Sequence, residues 1–245
     1  MGLFDYFSKD AAAKRRKESC EKKLSNMFYQ KQDRMAAAEI AADLVRQGDD
    51  DGIRILLVRF DHSAQNTTVD AEEKNYVVDL LVSLGDRVAE PIAAHVRRSH
   101  KPVYWSIRVL EELWSRDKVG AFLAEVLEAT DNGYWRDPAK KIGLIQIAEA
   151  YSDDRLGEAL VPFLDDHTEE IRFKTIDCML RNDYAAARSA LVERMASGEE
   201  ESNRVKARLA EGLAQKAWDL GEHTEAVTQN LPAGFRVTKN VVARG

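Results

Sequence analysis

Acidic residues come in close pairs along this chain, at Asp49–Asp51, Glu111–Glu112, Asp153–Asp154, Asp165–Asp166 and Glu199–Glu201. Two carboxylates that converge on one cleft can divide acid and base work in glycoside hydrolysis, or hold a divalent metal. Nearly all of these pairs stand where an apolar helical pattern begins, and negative charge at a helix start is favoured by the peptide dipoles. Capping is the simpler use for them. The five histidines (His62, His95, His100, His167, His223) include no i, i+4 pair that would set two imidazoles on one helix face. Cys20 and Cys178 lie far apart in the chain, so neither a disulfide framework nor a thiolate metal site is expected. There is no GxSxG nucleophile turn, GxxxxGK[ST] phosphate loop or HExxH pair. The expectation is a protein that is not an enzyme and takes no metal and no cofactor.

The most specific local chemistry is in PIAAHVRRSHKPVYWSIRVL, residues 91–110, which contains no Asp or Glu in a chain with 42 of them. Arg97, Arg98, Lys101 and Arg108 alternate with Tyr104 and Trp105, and His95 and His100 stand among them. Guanidinium forks grip paired oxygens and aromatic rings stack. The set therefore suits an anion, an acidic or phosphorylated peptide segment, or a nucleic-acid backbone. A purely structural reading stands beside it: Arg97 and Arg98 close a helix whose C-terminal dipole they offset, and Trp105 packs on a neighbouring helix pair. Arg97, Arg98, Lys101, Tyr104, Trp105 and Arg108 are the candidate partner-binding residues.

Elements that could position such a patch follow from composition and period. Hydrophobic residues make up 44% and charged residues 32%, and 5 Pro with 13 Gly are few for 245 residues, which marks a helix-rich soluble chain. An i, i+3, i+4, i+7 stripe recurs at Ala37–Leu44, Val77–Leu84 and Leu144–Tyr151, and with one charged break each (Glu111, Asp177, Lys206) at Ile107–Trp114, Phe173–Leu180 and Lys206–Leu213. A second stripe follows at Ile53, Val119 and Leu156, with weaker copies at Val88, Ala187 and His223, after polar turns such as QGDDDG and SDDR. Gly there tolerates a left-handed backbone and Asp caps the next helix. Val78 and Val82 make a second apolar flank beside the Val77 stripe. A helix held between the pairs before and after it needs two such flanks, whereas a closed bundle needs one. The fold class expected is all-α: an α-solenoid of about six antiparallel helix pairs over residues 33–231. A basic capping helix at 1–32 precedes it, and an extended cap at 232–245 follows.

The stretch DDHTEEIRFKTIDCMLRNDYAAARSALVERM resembles a HEAT repeat of the short bacterial, phycobilisome-lyase-like kind. Its acidic turn leads through Glu170, Ile171 and Arg172 into a first helix, and an Ala-rich second helix follows. NRVKARLAEGLAQKAW and RLGEALVPFLDD are similar, whereas the copies at 70–99 and 102–129 lack the acidic residue plus Arg. The resemblance covers roughly residues 33–231. It implies a HEAT-like superhelix whose second helices line an inner face, and a scaffold or adaptor that binds a protein partner there without catalysis. Some helical-repeat proteins similar to this one remove alkylated bases from DNA using Trp and Asp on a basic face. Trp105, Trp114, Trp135, Trp218 and Asp117 are the residues that alternative would use. A bilin lyase is a further activity implied by resemblance alone.

Charge argues against nucleic acid as the partner. The chain is −6 overall, and 9 of its 36 basic residues fall in the first 34 positions, so the repeats are more acidic still. No apolar run approaches the ~20 residues needed to span a bilayer, and the reading is cytoplasmic. At the beginning, MGLFDYF places Leu3, Phe4, Tyr6 and Phe7 before a basic run. A secretory signal would reverse that order. The expectation is that these residues dock on the first helix pair. A weak interfacial membrane contact through residues 1–8 is the rival. Two loops look longer than helix pairs need. HSAQNTTVDAE (62–72) reads as polar and mobile. ATDNGYWRD (129–137) sets Tyr134 and Trp135 either as a plug between repeats or as a partner contact. At the other end Phe235, Val237, Val241 and Val242 either seal the last pair or belong to a disordered tail.

Overall fold

The computed structural model describes residues 3–245, with side chains from residue 11 onward. It is all-α apart from one two-stranded sheet. The chain forms two compact units, divided between Ser115 and Arg116. The first holds α1 (Leu3–Ser25), α2 (Lys31–Arg46), α3 (Asp51–Val58), α4 (Thr67–Ser83), α5 (Ala89–Arg98) and α6 (Tyr104–Leu113). The second holds α7 (Arg116–Glu128), α8 (Ala139–Ala148), α9 (Asp154–Leu160) with a 3-10 turn at Val161–Asp165, α10 (Glu169–Asn182), α11 (Ala187–Ser197), α12 (Asn203–Lys216) and α13 (Thr224–Asn230). Strands β1 (Phe235–Thr238) and β2 (Val241–Arg244) end it. Each of the twelve apolar stripes falls on one of α2–α13 or the short turn leading into it.

In the first unit α2 packs on α3, and α1 lies against both. Beyond that the packing alternates: α2 meets α4 and α4 meets α6, while α3 meets α5. Ala37, Ala38, Ala41 and Ala42 give α2 a face without bulk, which lets α3 come close. A Cβ built on Gly52 of α3 would sit 2.2 Å from the Ala41 carbonyl oxygen. The second unit alternates likewise, α8 with α10 and α10 with α12 on one side, α7 with α9 and α11 with α13 on the other. Cys178 and Cys20 are both free and inside these cores, and burial pushes the Cys178 thiol up to about 12.

Polar turns do the capping expected of them. Asp153 accepts the Arg155 N–H and the Ser202 hydroxyl accepts the Val205 N–H. The stretch 62–72 is shorter as a loop than its polarity suggests. Asn66 Oδ1 accepts the Thr68 and Val69 N–H groups at 2.9 and 3.1 Å, starting α4 at Thr67. Asp70 is therefore a helix residue. Residues 232–245 form an antiparallel hairpin over α12 and α13, turned at Lys239–Asn240, where both φ angles are positive. Val242 is buried and Arg244 reaches Glu211 at 2.5 Å, so this segment covers the last helices as a hairpin. The docking expected of Leu3, Phe4, Tyr6 and Phe7 lies outside the described side chains.

Buried charge was not foreseen. Arg34, buried on α2, makes a two-pronged contact with Glu73 on α4 at 2.7 Å for each prong. Arg59 adds 3.0 Å to Glu73 and 2.5 Å to Asp70, and Lys74 reaches Asp70 at 2.7 Å. The second unit repeats the device. Lys141 on α8 meets Asp166 at 2.8 Å with both side chains 0% exposed, and Arg172 on α10 holds Glu200 by two bonds of 2.8 Å. In each case a base early in one first helix reaches an acid at or just before the next one. Arg172 thus ties α10 to the turn before α12. In the stretch beginning at residue 70, Asp70 and Glu73 supply the acid to Arg59 and Arg34.

Candidate functional site

α5 ends at Arg98 because Ser99 turns to an extended conformation, φ −66° and ψ 140°. Its last turn therefore carries His95, Arg97 and Arg98, with both arginines exposed. Lys101 is exposed on the following loop and donates to the Asp61 carbonyl at 3.1 Å. α6 then opens with Tyr104, 46% exposed, its ring edge-on to Trp105 with centroids 5.1 Å apart. Arg108, one turn on, is half-buried and has Glu111 at 4.0 Å; Tyr104 beside it raises its titration above the ordinary guanidinium value. All six candidate residues are exposed or half-buried, and they belong to the end of α5 and the start of α6.

Next to them lies a cleft of ≈ 300 Å³ between α3 and α5. Ile53, Leu57 and Val58 of α3 and Pro91 of α5 give it an apolar floor, and Arg98, His95, Arg54, Asp50 and Asp61 its rim. Two rim charges are engaged elsewhere: Arg54 pairs with Glu21 at 2.8 and 3.0 Å, and Asp50 with Arg87 at 2.6 Å. Asp61 Oδ1 is buried without a hydrogen bond, 3.9 Å from His95 Nε2. Neighbouring His62 titrates below the ordinary imidazole value, first through burial and then through the nearby Lys101 charge. Arg98 is the candidate residue that joins patch and cleft. Sequence reasoning placed Ile53 and Leu57 in the core and saw no cleft, because the gap depends on how far α5 stands from α3.

The other suggested residues separate. Trp135 is half-buried, donates its indole N–H to Asp131 at 3.0 Å and lies 5.0 Å from the Lys141 ammonium, so it plugs its own turn. Tyr134 beside it is 76% exposed. Trp105, Trp114 and Trp218 are half-buried, and Asp117 is exposed at the start of α7. The paired carboxylates are largely spoken for. Asp49 and Asp51 hold Lys17, Asp154 accepts the Ala185 N–H, and Asp165 and Glu199 hold Arg194. Among the described residues no group of three His, Cys, Asp or Glu is placed to hold a metal ion, and no helix is long and apolar enough to cross a membrane.

No family model, no curated protein and no solved structure matches the chain.

Proposed function

We propose that the chain is a HEAT-like helical-repeat scaffold, without catalysis, that binds an acidic segment of a protein partner on the α3–α5 side of its first unit. The alternating contacts of first helices with first helices, and second with second, support the α-solenoid reading within each unit. The observation that carries the binding reading is the adjacency of Arg98, Arg97 and Lys101 to a cleft with an apolar floor. An apolar side chain of the partner fills the cleft while carboxylates meet the guanidinium forks, the usual division between a desolvated anchor and a polar rim.

Nucleic acid fits less well. Five buried or half-buried bases (Arg34, Arg59, Lys141, Arg172, Arg194) are spent on internal carboxylates. The acidic excess of the repeats therefore falls on the surface, which disfavours a phosphate backbone and the DNA-repair alternative. The test is affinity capture from the native cell followed by mass spectrometry. Arg97→Glu with Arg98→Glu, both exposed, should lose the captured protein at unchanged melting temperature, and Val58→Glu in the cleft floor should lose the same protein. Capture unaffected by either variant would sink the reading.

A further inference from the structure

Of the four large apolar side chains that are exposed among the described residues, two are adjacent: Met27 at 42% and Phe28 at 78%. They form the tip of the turn between α1 and α2. This turn is not a frayed loop. Asn26 Oδ1 accepts the Phe28 N–H at 2.9 Å, and the carbonyls on either side of Phe28, those of Met27 and Tyr29, both accept from Arg34. Arg34 is itself 5% exposed and clamped to Glu73. A buried guanidinium thus holds the backbone in the shape that turns Phe28 outward, so its exposure is built in.

Charge around this knob is predominantly basic. Between residues 11 and 32 there are 7 basic and 2 acidic residues, in a chain of net charge −6. Lys17, Cys20, Glu21 and Leu24 form the inner face of α1, two of them buried and two paired to α3 and its preceding turn. At 100° per residue, Arg15 and Lys22 stand on the opposite face, and both are exposed, as are Lys14 and Arg16. Among the described residues none of these four is in an ion pair.

We propose that the Met27–Phe28 turn, with the outward bases of α1, is a contact site for an anionic lipid surface. Two protruding apolar side chains flanked by base match a headgroup layer, which yields to a small apolar wedge and supplies the negative charge. A second copy of the chain would need several hundred Å² of complementary surface around the same knob. The site is distinct from the α3–α5 cleft and does not rest on the partner reading.

Co-sedimentation of the full chain with vesicles tests it. Binding is expected to phosphatidylcholine vesicles doped with phosphatidylglycerol, absent with phosphatidylcholine alone, and lost at high salt. Phe28→Ser should lower the partition coefficient about tenfold, and Arg15→Glu with Lys22→Glu at least about tenfold, at unchanged melting temperature. Phe28→Trp should keep binding, and the emission it adds to that of the wild-type chain should move to shorter wavelength on the vesicles. The proposal is overturned by absent binding to the doped vesicles, by an added emission of the Phe28→Trp variant that stays unmoved on bound protein, or by a Phe28→Ser variant that partitions like wild type. Loss of binding in Phe4→Ser with Phe7→Ser alone would assign the contact to the first residues instead. A Phe28-dependent dimer that ignores vesicles would assign the turn to a second copy.

Discussion

Lys141 and Asp166 show what a single residue can decide in this chain. Neither side chain meets solvent. The ammonium donates to Asp166 at 2.8 Å and to the Gly133 carbonyl at 2.7 Å, while Asp166 Oδ1 accepts the Thr168 N–H that begins α10. Removing one charge leaves the other without its counter-ion in a medium that solvates it poorly. Lys141→Met should therefore cost about 3–5 kcal/mol, read as a lower urea midpoint. A loss of less than about 1 kcal/mol, the value of an exposed pair, would mean water reaches the site. Lys140 beside it is buried as well, and nothing in the sequence says which of the two will meet a carboxylate. The position of Asp166 decides that it is Lys141.

Two glycines show how element packing sets the outcome. Gly52 lies where α3 crosses α2, and a Cβ there would meet the Ala41 carbonyl oxygen at 2.2 Å and Val45 Cγ2 at 2.7 Å. Backbone cannot rotate aside as a side-chain tip can, so Gly52→Ala should destabilise by about 1–3 kcal/mol. Gly143, inside α8, would place its Cβ in open space. Gly143→Ala should be neutral or stabilising by up to about 1 kcal/mol, since it removes only the helix penalty of glycine. Thermal melts of the two variants check both signs. The stripes announced all twelve of the helices from α2 onward, because a 3.6-residue period is a property of neighbouring residues. The length of the 62–72 loop was misjudged for the opposite reason. Thr67, Thr68 and Asp70 are polar because α4 begins with a cap and an ion pair, and polarity alone does not separate a capped first turn from a loop.

Over the whole molecule the buried networks make stability depend on pH. Burial pushes Asp70 up, but hydrogen bonds from Lys74, Arg59 and the Ala64 N–H outweigh it and hold the carboxyl below its ordinary 3.8. Glu200 follows the same pattern: burial raises it, and Arg172, the Ser202 N–H and Arg194 bring it below 4.5. A carboxyl whose folded value is depressed contributes stability that is complete above the unfolded value and is lost as pH falls through the folded one. The melting temperature should thus be level from neutral pH down to about 5 and fall steadily below about 4.5. Arg172→Met should flatten part of that fall, because Glu200 then loses its main partner. A melting temperature unchanged between about pH 5 and 3 would remove these networks as a source of stability.

Sequence alone determined the helical class, the pairing of long stripes with short polar turns, the absence of the familiar nucleophile and phosphate-loop motifs, and the concentration of base and aromatic residues in 91–110. Each is a relation among residues within one or two helical turns, and local sterics and hydrogen bonding suffice to express it. Only the tertiary structure decided which bases would be buried. The partners of Arg34, Lys141 and Arg172 lie 39, 25 and 28 residues away, a separation set by how one helix pair stacks on the next. The same holds for the cleft beside Arg98, which is the space left between α3 and α5, and for Phe28, turned outward by the Arg34 guanidinium further along the chain. A pattern in the chain says that a residue has an inward or outward face; the stacked helices say what it meets there.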